Sequence, residues 1–348
     1  MEKILVALSG GVDSATCAAL LKNQGYEIMG ATMVLSADSS CLTSKDIEDA
    51  RGVCKNLEIP YHVVDFSRDF NEYVIENFIS AYENGATPNP CIECNFRLKF
   101  DKLFEFAMNN GCNYIATGHY ARIIYSEKYK RLVLARGADI KKDQSYVLWR
   151  LDRNKIEHTL FPLGNMPSKD EVREIAASTG LDVGSKKDSQ DICFVPDGDY
   201  AKFIEEYRQK SYPVGDFVDL DGNVLGKHKG IIRYTIGQRK GLGLALPQPM
   251  YVVAKDLDTN RVILGLNEDL FTRELYARDV NLTALDEIPK PIAVQAKIRY
   301  NQEAKPATAT YENGRLHIVF DEPQRAICRG QSVVIYDGDI VLGGGIID

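Results

Sequence analysis

The sequence predicts an α/β protein in three parts: a parallel-sheet domain over residues 1–209, a small β-rich domain over 210–275, and a β-barrel-like domain over 276–348. Two observations carry this reading. In the first 120 residues short apolar runs alternate with longer stretches of helical period, the pattern of a mostly parallel sheet covered on both faces. Beyond Tyr212 the chain turns to short β-branched runs punctuated by Asp221-Gly222-Asn223, Asp258-Thr259-Asn260, Glu312-Asn313-Gly314 and Asp337-Gly338-Asp339. A chain of 348 residues suits this division, being too long for one ordinary core.

In order along the chain, Ile4–Leu8 is wholly apolar and reads as the first strand, followed by a helix over Ser14–Asn23. Ile28–Leu35 gives a second strand, Lys45–Leu57 a helix, Tyr61–Asp65 a third strand and Phe70–Glu83 a helix. After a Pro-rich loop, Phe96–Asn109 reads as helix and Tyr114–Thr117 as a fourth strand. Ligands of such sheets bind outside the carboxyl ends of the strands, so the loops at Ser9, Met33, Asp65 and Gly118 should surround one crevice. A helical insert is expected near 150–185, and between Lys169 and Gln209 two helical stretches flank the polar segment Lys186 to Pro196. Val252–Ala254 and Arg261–Leu264 flank a turn and read as a hairpin.

Composition narrows the function classes. With 45% hydrophobic and 26% charged residues the chain reads as an ordinary globular protein. No run is long and apolar enough for a spanning helix, and the N-terminus lacks signal-peptide features, which predicts a cytoplasmic protein. Eight cysteines are too sparse for a disulfide scaffold, so most should be thiols; Cys17, in an apolar helical run, should be packing. The net charge of −7 argues against broad nucleic-acid binding, but a local basic face is foreseen. No Asp or Glu occurs between Gly222 and Lys255, whereas Lys227, Lys229, Arg233, Arg239, Lys240 and Lys255 do.

Ser9-Gly10-Gly11-Val12-Asp13-Ser14 joins the first strand to the first helix. Two glycines let the backbone turn and offer successive N–H groups to an anion, and the helix adds its positive end and the Ser9 and Ser14 hydroxyls. The Gly-Lys-Ser/Thr ending of a Walker A loop is missing. A plain strand–helix turn capped by Asp13 or Ser14 is the simpler alternative. The string instead resembles the PP-loop of the ATP pyrophosphatases, enzymes that split ATP between the α and β phosphates. That resemblance implies an adenine nucleotide alpha hydrolase-like N-terminal domain, adenylation of a substrate oxygen and release of AMP. It implies ATP and Mg2+ as cofactors, with nucleotide contacts from Ala7, Leu8, Ser9, Gly10, Gly11, Val12, Asp13 and Ser14, together with Met33 and Gly118.

Further strings narrow the resemblance. Thr87-Pro88-Asn89-Pro90-Cys91-Ile92-Glu93-Cys94-Asn95 is followed by Lys99-Phe100, Ala116-Thr117-Gly118-His119-Tyr120-Ala121-Arg122 and Lys142-Asp143-Gln144-Ser145-Tyr146. Then come Lys187-Asp188-Ser189-Gln190-Asp191-Ile192-Cys193-Phe194, Gly226-Lys227-His228-Lys229-Gly230 and Tyr234-Thr235-Ile236-Gly237-Gln238-Arg239-Lys240-Gly241. In this order, over essentially the whole chain, they resemble the MnmA family of tRNA-specific 2-thiouridylases. The family's activity is ATP-dependent 2-thiolation of the wobble uridine, U34. Its implied partners are tRNAs for Lys, Glu and Gln and a sulfur donor, a cysteine desulfurase or relay protein.

The chemistry accords with the residues. The uridine C2 oxygen leaves poorly, adenylation turns it into AMP, and a cysteine persulfide then supplies soft sulfur that a second thiol can release. By resemblance Cys193 carries the persulfide and Cys94 is the partner nucleophile. Cys91 stands where some members carry Asp, and two readings remain open. It is a base or target-base contact, or it joins Cys94 and Cys193 as a ligand of a [4Fe-4S] cluster. Zinc is disfavoured, because a lone C-x-x-C lacks a second pair. Implied tRNA and target-base contacts are Asn89, Pro90, Cys91, His119, Lys142, Asp143, Gln144, Arg299, Tyr300 and Gln331. Read without the resemblance, His119 is a core histidine, Asp143 a helix cap and Gln331 a loop amide.

Overall fold

A computed structural model describes residues 2–36, 42–178 and 192–348, except the side chain of Ser178. Cys41 and the string Lys187-Asp188-Ser189-Gln190-Asp191 lie outside the described residues.

The first domain carries β1 (Lys3–Ala7), β2 (Glu27–Val34), β3 (Tyr61–Asp65) and β4 (Tyr114–Ala116). The chain then makes the hairpin β5 (Ala121–Ser126) and β6 (Arg131–Arg136), and returns as β7 (Thr159–Leu160). The sheet is parallel with order β3-β2-β1-β4-β7, so β1 and β4 are neighbours and the strand order reverses there. A reversal of this kind opens a crevice at the strands' carboxyl ends. Helix α1 (Val12–Asn23) buries almost its whole length, including Ser14 to Ala19 and Leu21, and Cys17 has no exposed surface. Helix α2 (Ser44–Asn56) begins with a capping box in which Thr43 and Asp46 satisfy each other's backbone N–H groups.

The Phe70–Glu83 and Phe96–Asn109 helices are present and start earlier than the sequence suggested. The first runs from Ser67–Phe70 through a π stretch, Asn71–Ile75, into Glu76–Glu83. The second starts at Pro90–Glu93, passes through a π stretch, Cys94–Lys102, and continues as Leu103–Asn109. Helices Lys169–Ser178 and Tyr200–Arg208 follow.

The middle of the chain adds β8 (Gly215–Val218), β9 (Val224–His228), β10 (Tyr251–Asp256) and β11 (Arg261–Gly265), in the order β10-β11-β8-β9. The last part contributes β12 (Phe271–Leu282), β13 (Ile292–Lys297), β14 (Lys305–Glu312), β15 (Arg315–Arg325), β16 (Ser332–Asp337) and β17 (Ile340–Ile347). Their order β12-β15-β14-β13-β16-β17, with β17 pairing back onto β12, closes a six-stranded barrel.

The hairpin β5–β6 was not anticipated. It leaves the first domain to lie beside the barrel, with Ala135 paired to Ile340. Trp149 fixes the same junction: it is fully buried, its indole N–H donates to Ser332 Oγ at 3.0 Å, and a Cβ at Gly344 would fall 2.9 Å from its ring. Tyr146 donates to the Ser332 carbonyl at 2.8 Å, and Asn281 reaches the Trp149 and Leu151 carbonyls. Barrel and catalytic-type domain therefore share one packed seam.

Candidate active site

β1 delivers half-buried Ala7 and buried Leu8 to the carboxyl edge of the sheet, where Ser9 is exposed. Gly10 turns the chain with φ +72°, and a Cβ there would meet the Asp46 carbonyl oxygen at 2.4 Å. Left-handed backbone and the close approach of α2 both demand glycine. Gly11 differs from the expectation: it is extended, and as the N-cap residue it offers no side-chain acceptor. The first-turn N–H groups of α1 thus meet no competing cap oxygen from it. Ser14 Oγ accepts from the Ser9 N–H at 3.2 Å and donates to the Gly11 carbonyl at 3.0 Å, bracing the loop from inside.

Asp13 is the loop's carboxylate. Tyr120 donates to its Oδ1 at 2.9 Å, and Lys169 approaches its Oδ2 at 3.3 Å. The end of β4 presses on the same loop, since a Cβ at Gly118 would lie 3.2 Å from Asp13 and from the Ser14 nitrogen. Met33, at the end of β2, is half-buried against the core. His119 is 7% exposed, with Nδ1 2.7 Å from Thr117 Oγ1 and its ring against Phe100 and Phe161. Burial first, and the Lys99 charge second, hold its pKa well below the ordinary value, so the imidazole is neutral near pH 7.

The thiols sit on the next layer. Asn89 caps the helix, its Oδ1 accepting from the Cys91 N–H at 3.1 Å, and Pro90 occupies the first turn. Both neighbours of Cys94 are tied down. Glu93 pairs with Arg150, whose guanidinium lies 4.1 Å from the Phe96 ring centre, and buried Asn95 donates to the Val147 carbonyl at 3.2 Å. Cys94 opens the π stretch, a local irregularity common at functional sites. Cys91 is exposed, while Cys94 and Cys193 are half-buried against the same core. Next to Cys193, Phe194 anchors its segment among Phe70, Phe78 and Phe203, with ring centres 5.2–5.7 Å away.

The glycine loop is tied to the segment at Gln144 by contacts that no local sequence reading could supply. Tyr120 holds Asp13 through its hydroxyl, and its backbone N–H donates to Gln144 Oε1 at 2.9 Å. Burial above all raises the Tyr300 pKa, the charges of Asp143 and Cys91 add to the shift, and Gln144 opposes it. Cys91, Asp143 and Gln144 thus lie within electrostatic reach of Tyr300. Asp143 is 7% exposed and accepts from the Gly137 and Ser145 N–H groups and the Ser145 hydroxyl. Lys142 is half-buried beside it. Arg299 donates to the Ala326 carbonyl and touches Cys328 Sγ, both at 2.7 Å, and Gln331 donates to the Thr87 carbonyl at 2.7 Å. Tyr120, Lys169, Asn95 and Arg150 were not given roles from sequence; for Arg150 a charged residue within the apolar run Val147–Leu151 was the available signal.

The cluster ligand set does not fit. Cys91, Cys94 and Cys193 are all described, yet among the described residues no three His, Cys, Asp or Glu side chains gather into a metal-holding group. For Mg2+ the setting is different, because that ion keeps waters and shares phosphate oxygens with one or two carboxylates. Asp13 is the carboxylate at the loop that fits such a role.

The foreseen basic face is narrower than the sequence suggested. Arg233 pairs with Glu205 at 2.6 Å, Lys227 with Asp216 at 2.5 Å, and the Lys255 amine is buried with no hydrogen-bond partner. Lys229, Arg239 and Lys240 remain exposed. His228, within the same string, is structural: Nε2 lies 3.0 Å from the Asn260 carbonyl and Nδ1 accepts from the Gly230 N–H at 3.1 Å.

A parallel sheet with an open glycine loop at its strand-order reversal, followed by two small β-domains, defines a HUP-domain protein with appended barrels. Residues 2–197 match the family model described as the tRNA methyl transferase HUP domain, 201–266 its PRC-barrel domain, and 272–347 the aminomethyltransferase beta-barrel domain. The chain is 49% identical over 355 residues to the tRNA-specific 2-thiouridylase MnmA of Clostridioides difficile strain 630, covering 100% of this chain and 98% of that one. It is 50% identical over 358 residues to the same-named protein of Clostridium botulinum strain Alaska E43, with the same coverages. With that of Acetivibrio thermocellus it shares 48% over 356 residues, 99% of each chain. The chain belongs to the MnmA family of tRNA-specific 2-thiouridylases.

Proposed function

We propose that this protein is an ATP-dependent tRNA sulfurtransferase that converts the wobble uridine to 2-thiouridine, releasing AMP and pyrophosphate. The observation that carries the reading is the glycine loop at the strand-order reversal, braced through Asp13–Tyr120–Gln144, in one domain with the helix that bears Cys91 and Cys94. Family membership supplies the substrate class, tRNA, with the Lys, Glu and Gln isoacceptors as the proposed set. A cytosolic setting and a cysteine desulfurase or sulfur-relay protein as donor belong to the same proposal.

The loop from Ser9 to Ser14 and the N-terminus of α1 would take the β- and γ-phosphates, leaving the α-phosphorus open to the uridine O2. Mg2+, held by phosphate oxygens and Asp13, would neutralise charge on the departing pyrophosphate. Gly118 and Met33 would border the nucleoside, and Cys91, with Asn89, Pro90 and Tyr300, the target base. A persulfide on Cys193 then attacks C2 with its outer sulfur and expels AMP. The Cys94 thiolate attacks Cys193 Sγ, breaking the S–S bond; sulfur stays on C2 and a Cys94–Cys193 disulfide remains. An external dithiol returns both thiols by supplying two electrons and two protons. No step runs through an iron–sulfur cluster, and Cys91 is left as a base contact.

The test is reconstitution of iron-free enzyme with ATP, unmodified tRNA and a desulfurase. The expected result is 2-thiouridine and AMP in equal amounts. AMP release that ignores tRNA but responds to ammonia would replace this reading with an amidating ligase; activity tracking bound iron would restore the cluster.

A further inference from the structure

We infer that Lys297, seconded by Arg136, binds a backbone phosphate of the RNA strand beside the nucleotide presented to Cys91 and Cys94. The inference rests on the tRNA reading above and adds a site outside the motifs. Lys297 is the last residue of β13, at the barrel rim that meets the first domain. Its Nζ lies 5.6 Å from the ring centres of both Tyr146 and Tyr300, and Tyr300 is within electrostatic reach of Cys91 and Gln144. Arg136 ends β6, the strand that crosses to the barrel, and its guanidinium sits 4.3 Å from the centre of the Tyr336 ring. Two cations thus stand on aromatic shelves formed by Tyr146, Tyr300 and Tyr336.

Neither has an ion-pair partner among the described residues. The carboxylate whose charge reaches Lys297 is Asp143, which already accepts three hydrogen bonds: Oδ1 takes the Gly137 and Ser145 N–H groups and Oδ2 the Ser145 hydroxyl. Burial is accordingly the main influence on Lys297, lowering its pKa, with Asp143 opposing and Arg136 reinforcing the shift. A half-desolvated ammonium beside a second cation is costly in the unliganded protein, and an apolar side chain would pack against the two tyrosines more cheaply. The cost is recovered when an anion enters, because a phosphate would satisfy both cations at once. The tyrosine shelf fits the same ligand class, since rings of this kind stack single-stranded bases beside a tracked backbone.

The experiment measures binding of an unmodified tRNA transcript to the full-length enzyme between about 50 and 200 mM salt. Lys297→Met keeps the packing stem and removes the charge; Lys297→Arg keeps the charge. Lys297→Met is expected to weaken binding roughly tenfold at low salt, as for one charge-assisted contact. It should also lower the log–log salt slope by about 0.7–0.9, the signature of one lost phosphate. Lys297→Arg should retain the wild-type slope. An unchanged slope in Lys297→Met, with or without a lower melting temperature, would reduce Lys297 to a packing staple and overturn the inference. Wild-type enzyme that binds no tRNA would instead remove the tRNA reading itself, so the two failures are distinguishable.

Discussion

Tyr120→Phe tests whether the relay between the two halves of the site matters to chemistry. The ring is 4% exposed and packs in the core around β1 and α1, so phenylalanine leaves no cavity and should fold. The substitution removes the hydrogen bond, 2.9 Å long, from the hydroxyl to Asp13 Oδ1. Bonds to charged acceptors contribute about 1.5–3 kcal/mol, and Lys169 at 3.3 Å from the other oxygen retains part of the carboxylate's support. The lower half of that range therefore applies, roughly a 10- to 50-fold fall in AMP-forming kcat/KM for ATP. The assay is tRNA-stimulated AMP release under limiting ATP, with a melting curve on the same sample. Unchanged kcat/KM would show that Asp13 needs no orientation by Tyr120, and the relay would then be only structural.

Two further outcomes follow from charges outside the loop. Burial lowers the Lys255 pKa from 10.5 to about 8, near Cys328, which Arg299 touches. The unfolded chain thus binds the proton more tightly, and the stabilisation present above pH 10.5 is lost as pH falls through about 8. Lys255→Met should raise stability at pH 7 by up to about 3 kcal/mol and flatten the rise in melting temperature between pH 8 and 10; an unchanged or lower melting temperature at pH 7 would mean the amine is not a net cost. Reversing Lys229 and Arg239, both exposed, should weaken tRNA binding and lower its salt slope by one to two units. Lys227 is the poorer choice, because its reversal also breaks the pair with Asp216. An unaltered slope would make these residues a solvated face.

What could be read from the sequence divides along local and nonlocal lines. The parallel strands were legible because each is a short apolar run fixed by its own residues, and Tyr61–Asp65 matched at both ends. The loop at Gly10 was legible because its turn needs a residue free of a Cβ, although Gly11 adopts ordinary extended backbone. The docking of the hairpin Ala121 to Arg136 on the barrel escaped because its partner there, Ile340, lies over 200 residues away. Lys255 was misplaced on an exposed basic face because charge spacing carries no information about burial. The reach of Cys91 and Gln144 to Tyr300 is likewise a product of the barrel's docking, which no window of the sequence contains.

The central claim is an order of steps: the tRNA uridine is adenylated by the loop, and sulfur then arrives from Cys193. Cys193→Ser incubated with ATP labelled in the α-phosphate, tRNA and a desulfurase tests it directly. The account predicts AMP label covalently attached to tRNA and no 2-thiouridine, because the loop is intact and only the sulfur carrier is gone. Thiolated tRNA formed by that variant, or the absence of any tRNA-bound label, would contradict it.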